Sequence, residues 1–308
     1  MADQSKRNNI AVLLPCYNEE LTIQAVIRQM REVVPGARIV VFDNNSKDKS
    51  AELARAEGVE VRAVRLQGKG NVVRRMFADI EADVYLMVDA DTTYDPATAP
   101  ALIAAVTSGQ ADMAVGVRQG KDSSFPPGHR FGNRLFNLIV AGLFGRGMQD
   151  IFSGYRAFSK RFVKSFPAHS KRFEIETELS VFTLEQRIPF VEIPSAYGER
   201  PEGSFSKLST FKDGFRILWM IVQLYKELRP VIFFGLIAVF FAAISLLLGV
   251  PVIAEYMKTG LVERQPTAIL ASAIGILSAV LFVAGMVLES TARAYRETRH
   301  LFYLNASR

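Results

Sequence analysis

The stretch Val84-Tyr85-Leu86-Met87-Val88-Asp89-Ala90-Asp91 opens with five apolar or aromatic residues and closes on two carboxylates. Such a run predicts a strand buried on both faces. An Asp-x-Asp at its end puts two hard oxygen ligands at the carboxyl edge of a sheet, where open α/β folds bind ligands. Two carboxylates that close repel unless a cation lies between them. Mg²⁺ or Mn²⁺ is the natural choice, held by one or two carboxylates plus substrate phosphates. The plainer alternative is an Asp N-cap on a helix near Pro96–Thr107, with Asp91 as a turn residue.

Similar units surround this stretch. Strands are expected at Ile10–Pro15, Arg38–Phe42, Val59–Leu66 and Ala111–Val117. Helices are expected at Glu19–Val33, Lys47–Ala56, Gly68 to about Ile80, and Pro100–Ser108. Alternation of this kind implies right-handed βαβ crossovers and a mostly parallel sheet. The polar strand ends Tyr17-Asn18-Glu19, Asp43-Asn44 and Asp89-Ala90-Asp91 then converge on one edge. Gly68-Lys69-Gly70 is neither a P-loop nor a dinucleotide fingerprint; it starts a helix beside a phosphate or sugar, or is a plain turn. From Arg118 the alternation stops. An apolar helix (Leu135–Phe144), a helix over Phe173–Arg187 with Glu174 and Glu178 on one face, and a strand (Phe190–Tyr197) are expected beyond it.

The net charge of +6 favours anionic partners: nucleic acid, an acidic bilayer face or phosphorylated substrates. No nucleic-acid motif accompanies it. The single cysteine, Cys16, excludes an internal disulfide framework and reads as packing. No secretory leader is expected. Val231–Ile253 and Thr267–Leu288 carry no charge, and each exceeds the ~20 residues that cross a bilayer. Basic residues flank the pair, which by the positive-inside rule puts both ends in the cytoplasm. Thr210–Leu228 carries Phe211, Phe215, Leu218, Trp219, Val222 and Tyr225 on one side, as in an interfacial helix. The expected division is a catalytic domain (1–209), an interfacial helix (210–229), a transmembrane hairpin (230–295, spans 231–253 and 267–288) and a cytoplasmic tail (296–308).

Four landmarks stand in order: Pro15-Cys16-Tyr17-Asn18-Glu19-Glu20, Asp43-Asn44, Asp89-Ala90-Asp91 and Gly116-Val117-Arg118, with Arg200-Pro201-Glu202-Gly203-Ser204-Phe205-Ser206-Lys207 following. In these the chain resembles a family 2 glycosyltransferase of the GT-A fold, Rossmann-like with a mostly parallel sheet. Within that family it resembles the polyprenyl-phosphate glycosyltransferases, the branch of dolichyl-phosphate mannose synthase and the bacterial undecaprenyl-phosphate enzymes. The resemblance implies inverting, metal-dependent transfer from a nucleotide sugar, with a UDP-sugar favoured and GDP-mannose as the other donor, to undecaprenyl phosphate in the cytoplasmic membrane. It implies that Pro15, Tyr17, Asn18 and Glu19 form a nucleotide-binding turn, that Asp43 contacts base or ribose, and that Lys69 lies near the nucleotide. Asp89-Ala90-Asp91 matches the donor site, with Asp89 and Asp91 as ligands to Mg²⁺ or Mn²⁺. Arg118, Arg130, Arg200 and Lys207 match basic positions facing donor diphosphate or acceptor phosphate. Asp150 matches the family's acidic catalytic residue, here orienting or assisting; its plain alternative is a turn residue accepting backbone N–H groups. Asp150, Asp91 and Arg200 are thus the implied catalytic set. Relatives often carry Gln two residues past the second Asp; this chain has Thr93 there. The loop Gly198–Ser209 is placed to close over the donor. The resemblance permits a tetramer. A processive polysaccharide synthase and a non-catalytic nucleotide-sugar scaffold are the competing readings; the Gln-x-x-Arg-Trp signature of the first is absent, and the second does not account for Asp89, Asp91, Arg118 and Asp150 together.

Overall fold

The computed structural model describes residues 9–119, 136–142, 147–168, 170, 174–201 and 210–306. Residues up to Leu218, together with His300 onward, form one compact unit; Trp219–Arg299 form a second.

The first unit is built on seven strands: β1 (Ile10–Cys16), β2 (Arg38–Asp43), β3 (Glu60–Ala63), β4 (Val84–Met87), β5 (Met113–Gln119), β6 (Arg156–Ser159) and β7 (Phe190–Ala196). They lie in the order β3-β2-β1-β4-β6-β5-β7. All pairs are parallel except those of β6, which runs antiparallel to β4 and β5. The helices between them are α1 (Ile23–Val33), α2 (Ser50–Ala56), α3 (Lys69–Asp79), α4 (Ala99–Thr107), α5 (136–142), α6 (Lys160–Ser165) and α7 (Ile175–Glu185).

Burial follows the sequence pattern. In β1, Ala11 to Leu14 are wholly buried on both faces, as the unbroken apolar run requires. In α1, Ile23, Val26, Ile27 and Met30 recur at helical spacing and turn one stripe inward. That stripe joins Val12, Leu14, Leu86 and Leu102 in a single core.

Two helices start later than the sequence suggests: α1 at Ile23 rather than Glu19, and α2 at Ser50 rather than Lys47. Asn18 and Asn45 sit at φ 53° and 61°, a left-handed conformation that short amide side chains tolerate and helices do not. The turns they make are tied together, Asn18 N donating to Ser46 Oγ and Lys47 N to Asn18 Oδ1. Strand β3 is half the expected length, because Asn44 Nδ2 takes the carbonyls of Val64 and Leu66 out of the ladder. Strand β6 was not expected at all. Its sequence, Arg-Ala-Phe-Ser, has no apolar run, yet all four residues are buried.

The second unit holds α9 (Pro230–Thr259) and α10 (Gln265–Asn305) as far as Arg299, two helices long and apolar enough to cross a membrane. They pair as a hairpin. Ser278 Oγ donates to the Ala238 carbonyl at 2.7 Å and Ser245 Oγ to that of Ala271 at 2.8 Å. Gly285 lets the helices close in: a Cβ there would lie 3.1 Å from Phe234 Cβ. Before them, α8 (Thr210–Leu228) exposes Phe215, Leu218 and Trp219. The segment read as a tail continues α10 to Asn305. Tyr303 is buried in the first unit, donating to Asp112 Oδ2 under the Arg161 guanidinium.

Candidate active site

Because every strand but β6 runs the same way, the ends of β1, β2, β4 and β5 share one edge of the sheet, and β6 begins there. Asp43, Asp89, Asp91 and Arg118 are delivered by strand ends. The turn Asp150–Gly154 is delivered by a strand start, which explains how a segment far along the chain joins them.

Side chains lock this edge. Asn44 Oδ1 accepts from Gly68 N at 2.6 Å, tying the end of β2 to the residue before Lys69. Thr22 Oγ1 donates to the Ala90 carbonyl at 2.6 Å, fixing the peptide between the two aspartates. Ser153 Oγ donates to the Gly116 carbonyl, and Gly116 N to that of Tyr155. The buried Arg156 guanidinium donates to the carbonyls of Ile151 and Ser153, both at 2.8 Å, and holds the turn from beneath. Burial is the main reason its pKa falls to about 10.

Four ion pairs form the charged floor. Lys69 Nζ lies 2.5 Å from both Asp89 Oδ1 and Glu176 Oε1. Burial opposes the Lys69 charge, but the two carboxylates outweigh it and its pKa is raised. Arg200 Nη2 lies 2.5 Å from Asp91 Oδ2, while Thr93 Oγ1 donates to Asp91 Oδ1 at 2.6 Å. Arg118 grips Asp150 with one fork of its guanidinium, Nε to Oδ2 and Nη2 to Oδ1 at 2.7 Å each. Burial would push the Asp150 carboxyl up; the Arg118 charge and hydrogen bonds more than offset it and hold it below its ordinary value.

Among the described residues no three His, Cys, Asp or Glu side chains gather as a metal site. The chain offers two carboxylates, and the rest of a coordination shell would come from phosphate and water. That donor set suits a hard divalent cation. Asp89 is the more open of the pair, its side chain 27% exposed against 5% for Asp91. Its Oδ2 fits against Gly154, where a Cβ would come within 2.3 Å; the Gly154 N–H donates instead to Tyr94 Oη. The residues present therefore fit the metal that the resemblance implies.

Of the residues singled out in the sequence, Pro15, Tyr17, Asn18, Glu19, Asp43, Lys69, Asp89, Ala90, Asp91, Arg118, Asp150 and Arg200 all fall on this edge or the loops leaving it. Ala90 is buried and engages through its carbonyl. Asp43 is buried with Oδ1 lacking a partner among the described residues. Cys16 is buried, its thiol pushed up to about 12, chiefly by burial. Arg130, Lys207 and most of the Gly198–Ser209 loop lie outside the described residues. The sequence reading missed Glu176, Arg156, Thr22, Tyr94 and Gly154. It marked Glu174 and Glu178 on one helix face, whereas Glu176 between them meets Lys69.

The model of the family described as Glycosyl transferase family 2 matches residues 11–166, just over half the chain. The chain belongs to that family. This glycosyltransferase is 32% identical to Glycosyltransferase AglJ of Haloferax volcanii over 295 residues, covering 94% of this chain and 95% of AglJ. It is 27% identical to the dolichol-phosphate mannosyltransferase of Pyrococcus furiosus, over 74% of this chain and 68% of that one. Among solved structures, glucosyl-3-phosphoglycerate synthase of Mycobacterium tuberculosis, crystallised with Mn²⁺, UDP-glucose and phosphoglyceric acid, has the same GT-A fold: TM-score 0.58, 22% identity, 71% of this chain and 80% of that one. The family match spans Asp43, Asp89, Asp91, Arg118 and Asp150 of the glycosyltransferase; Glu176 and Arg200 lie beyond it.

Proposed function

We propose that this glycosyltransferase moves a sugar, with inversion, from a nucleotide sugar to a membrane polyprenyl phosphate. The observation that carries the reading is a floor of two strand-end aspartates paired with Lys69 and Arg200, with the Arg118–Asp150 pair on the same edge, in a chain that also bears two bilayer-length apolar helices. The relative named dolichol-phosphate mannosyltransferase supports the acceptor class, and a UDP-sugar is the donor that the family resemblance favours.

Breaking the anomeric bond builds negative charge on the departing diphosphate. A divalent cation on Asp89 and Asp91 would supply Lewis-acid stabilisation of that charge. Arg200, drawn against Asp91, and Arg118 present planar forks suited to phosphate oxygens. The nucleophile is itself an anion, since the second ionisation of a phosphomonoester lies near pH 6 (about 6). No strong base is needed to activate it. Asp150 then serves as a positioning residue: both its oxygens accept from Arg118, which it aims at the edge of the sheet. The two apolar helices tether the chain to the bilayer that carries the lipid phosphate, which raises the effective concentration of the acceptor. In this reading the sugar-transferring domain and both ends of the hairpin face the cytoplasm.

The test is transfer of labelled sugar from UDP-glucose, UDP-N-acetylglucosamine or GDP-mannose into proteoliposomes with undecaprenyl phosphate and Mn²⁺, with phosphoglyceric acid as the water-soluble competitor. Label in the organic extract supports the reading. Label only in phosphoglyceric acid, or only in polymer, overturns the lipid acceptor.

A further inference from the structure

Helix α7 is buried from Ile175 to Thr183, and its first turn carries a carboxylate into the interior. Glu176 is 4% exposed. Its Oε1 meets Lys69 Nζ, and its Oε2 has no hydrogen-bond partner among the described residues. Lys69 is itself nearly closed off from solvent and also holds Asp89. Both acid oxygens lie 2.5 Å from one nitrogen, so they stand at most 5.0 Å apart. One ammonium thus serves two carboxylates, and this trio carries a net charge of −1. The other strand-end aspartate differs: Asp91 pairs with the Arg200 guanidinium.

We propose that Glu176 is a positioning residue that sets the affinity of Asp89 for a divalent cation. It does so by sharing the Lys69 ammonium, which would otherwise neutralise Asp89 outright. The inference rests on the metal reading given above and adds to it a residue outside the aspartate pair. With the Glu176 charge removed, a cation arriving at Asp89 meets an uncompensated ammonium a few ångströms away. At such separations a unit charge on a divalent ion changes binding by about tenfold or more, even at a high effective dielectric constant. Removing the Lys69 charge as well returns the site to −1.

The experiment measures Mn²⁺ binding to the full chain in nanodiscs, by electron paramagnetic resonance of free Mn²⁺, with saturating UDP. Glu176→Gln should bind Mn²⁺ about tenfold or more weakly than the parent. The double variant Lys69→Met/Glu176→Gln should return to within about threefold of the parent, since its local charge is the same. A merely structural role for Glu176 predicts no such rescue. Unchanged affinity in Glu176→Gln, or a double variant as weak as the single one, overturns the proposal. Should Glu176→Gln fail to fold, the double variant against the parent decides alone, and a loss beyond about tenfold overturns it. A parent that binds no Mn²⁺, or binds it no better than Asp91→Asn, overturns the metal reading, and this inference falls with it; that result is distinct from parental binding that Glu176→Gln leaves unaltered.

Discussion

At the scale of single residues the site depends on close approach and on charge pairing. Gly154 touches Asp89 so closely that even a methyl group must displace the carboxylate. Gly154→Ala should therefore fold and yet lose transfer on the order of 10²-fold, as expected for a misplaced transition-state group; steady-state kinetics beside a thermal melt would check this. Asp91→Asn should lose at least as much and should lose Mn²⁺-dependent donor binding with it. The Arg118–Asp150 pair makes a stability prediction. Its two side chains are largely hidden from solvent, so Asp150→Asn takes from the guanidinium the carboxylate that both its Nε and Nη2 bind. The expected cost is about 3–5 kcal/mol, read from denaturant unfolding. The carboxyl of Asp150 is held lower in the folded chain than in the unfolded one. Its contribution is thus fully present above the ordinary Asp pKa of about 3.9 and is lost as pH falls through the lower folded value. Asp150→Asn should flatten that acid limb of the stability profile.

At the scale of elements, the parallel half of the sheet and the helices of the hairpin were legible because long apolar runs carry their own period. What was not legible was held by single polar side chains. Strand β6 depends on a buried arginine that lends its charge to backbone carbonyls, and four residues offer no periodicity to read. The delayed starts of α1 and α2 depend on two asparagines in left-handed turns. Glu176 hid for another reason. Acidic residues at 174, 176 and 178 look alike in sequence, and only the packing of α7 on α3 says which one faces Lys69. Arg118 and Arg200 were marked as phosphate contacts, but their carboxylate partners required the fold. The hairpin gives its own prediction. Gly285→Ile should push α10 from α9, because the glycine sits against Phe234 and the backbone at Pro230–Val231. Disulfide formation between cysteines placed at Ala238 and Ser278 reports this: ready in the parent, sharply reduced in the variant.

At the scale of the whole molecule, the proposed orientation can be tested cleanly because the native thiol is silent. Cys16 is buried and poorly ionised, and thiolate, not thiol, is the reactive form. A cysteine at Lys258, exposed at the end of α9, should react with a membrane-impermeant maleimide in intact cells. One at Glu52, exposed on α2, should react only after permeabilisation. The reverse pattern would put the aspartate pair on the wrong side for a cytoplasmic donor.

The reversed course of β6 has one more consequence. Since β5 leaves the sheet where β6 enters it, the two ends of the connection between them, Gln119 and Tyr155, lie on the same rim. Its two roots are stitched by the Gly116–Tyr155 and Ser153–Gly116 bonds and by the Arg118–Asp150 pair. A stretch with both feet on one sill is a natural cassette. Exchanging the connection between family members at those two roots should leave the scaffold of strands intact.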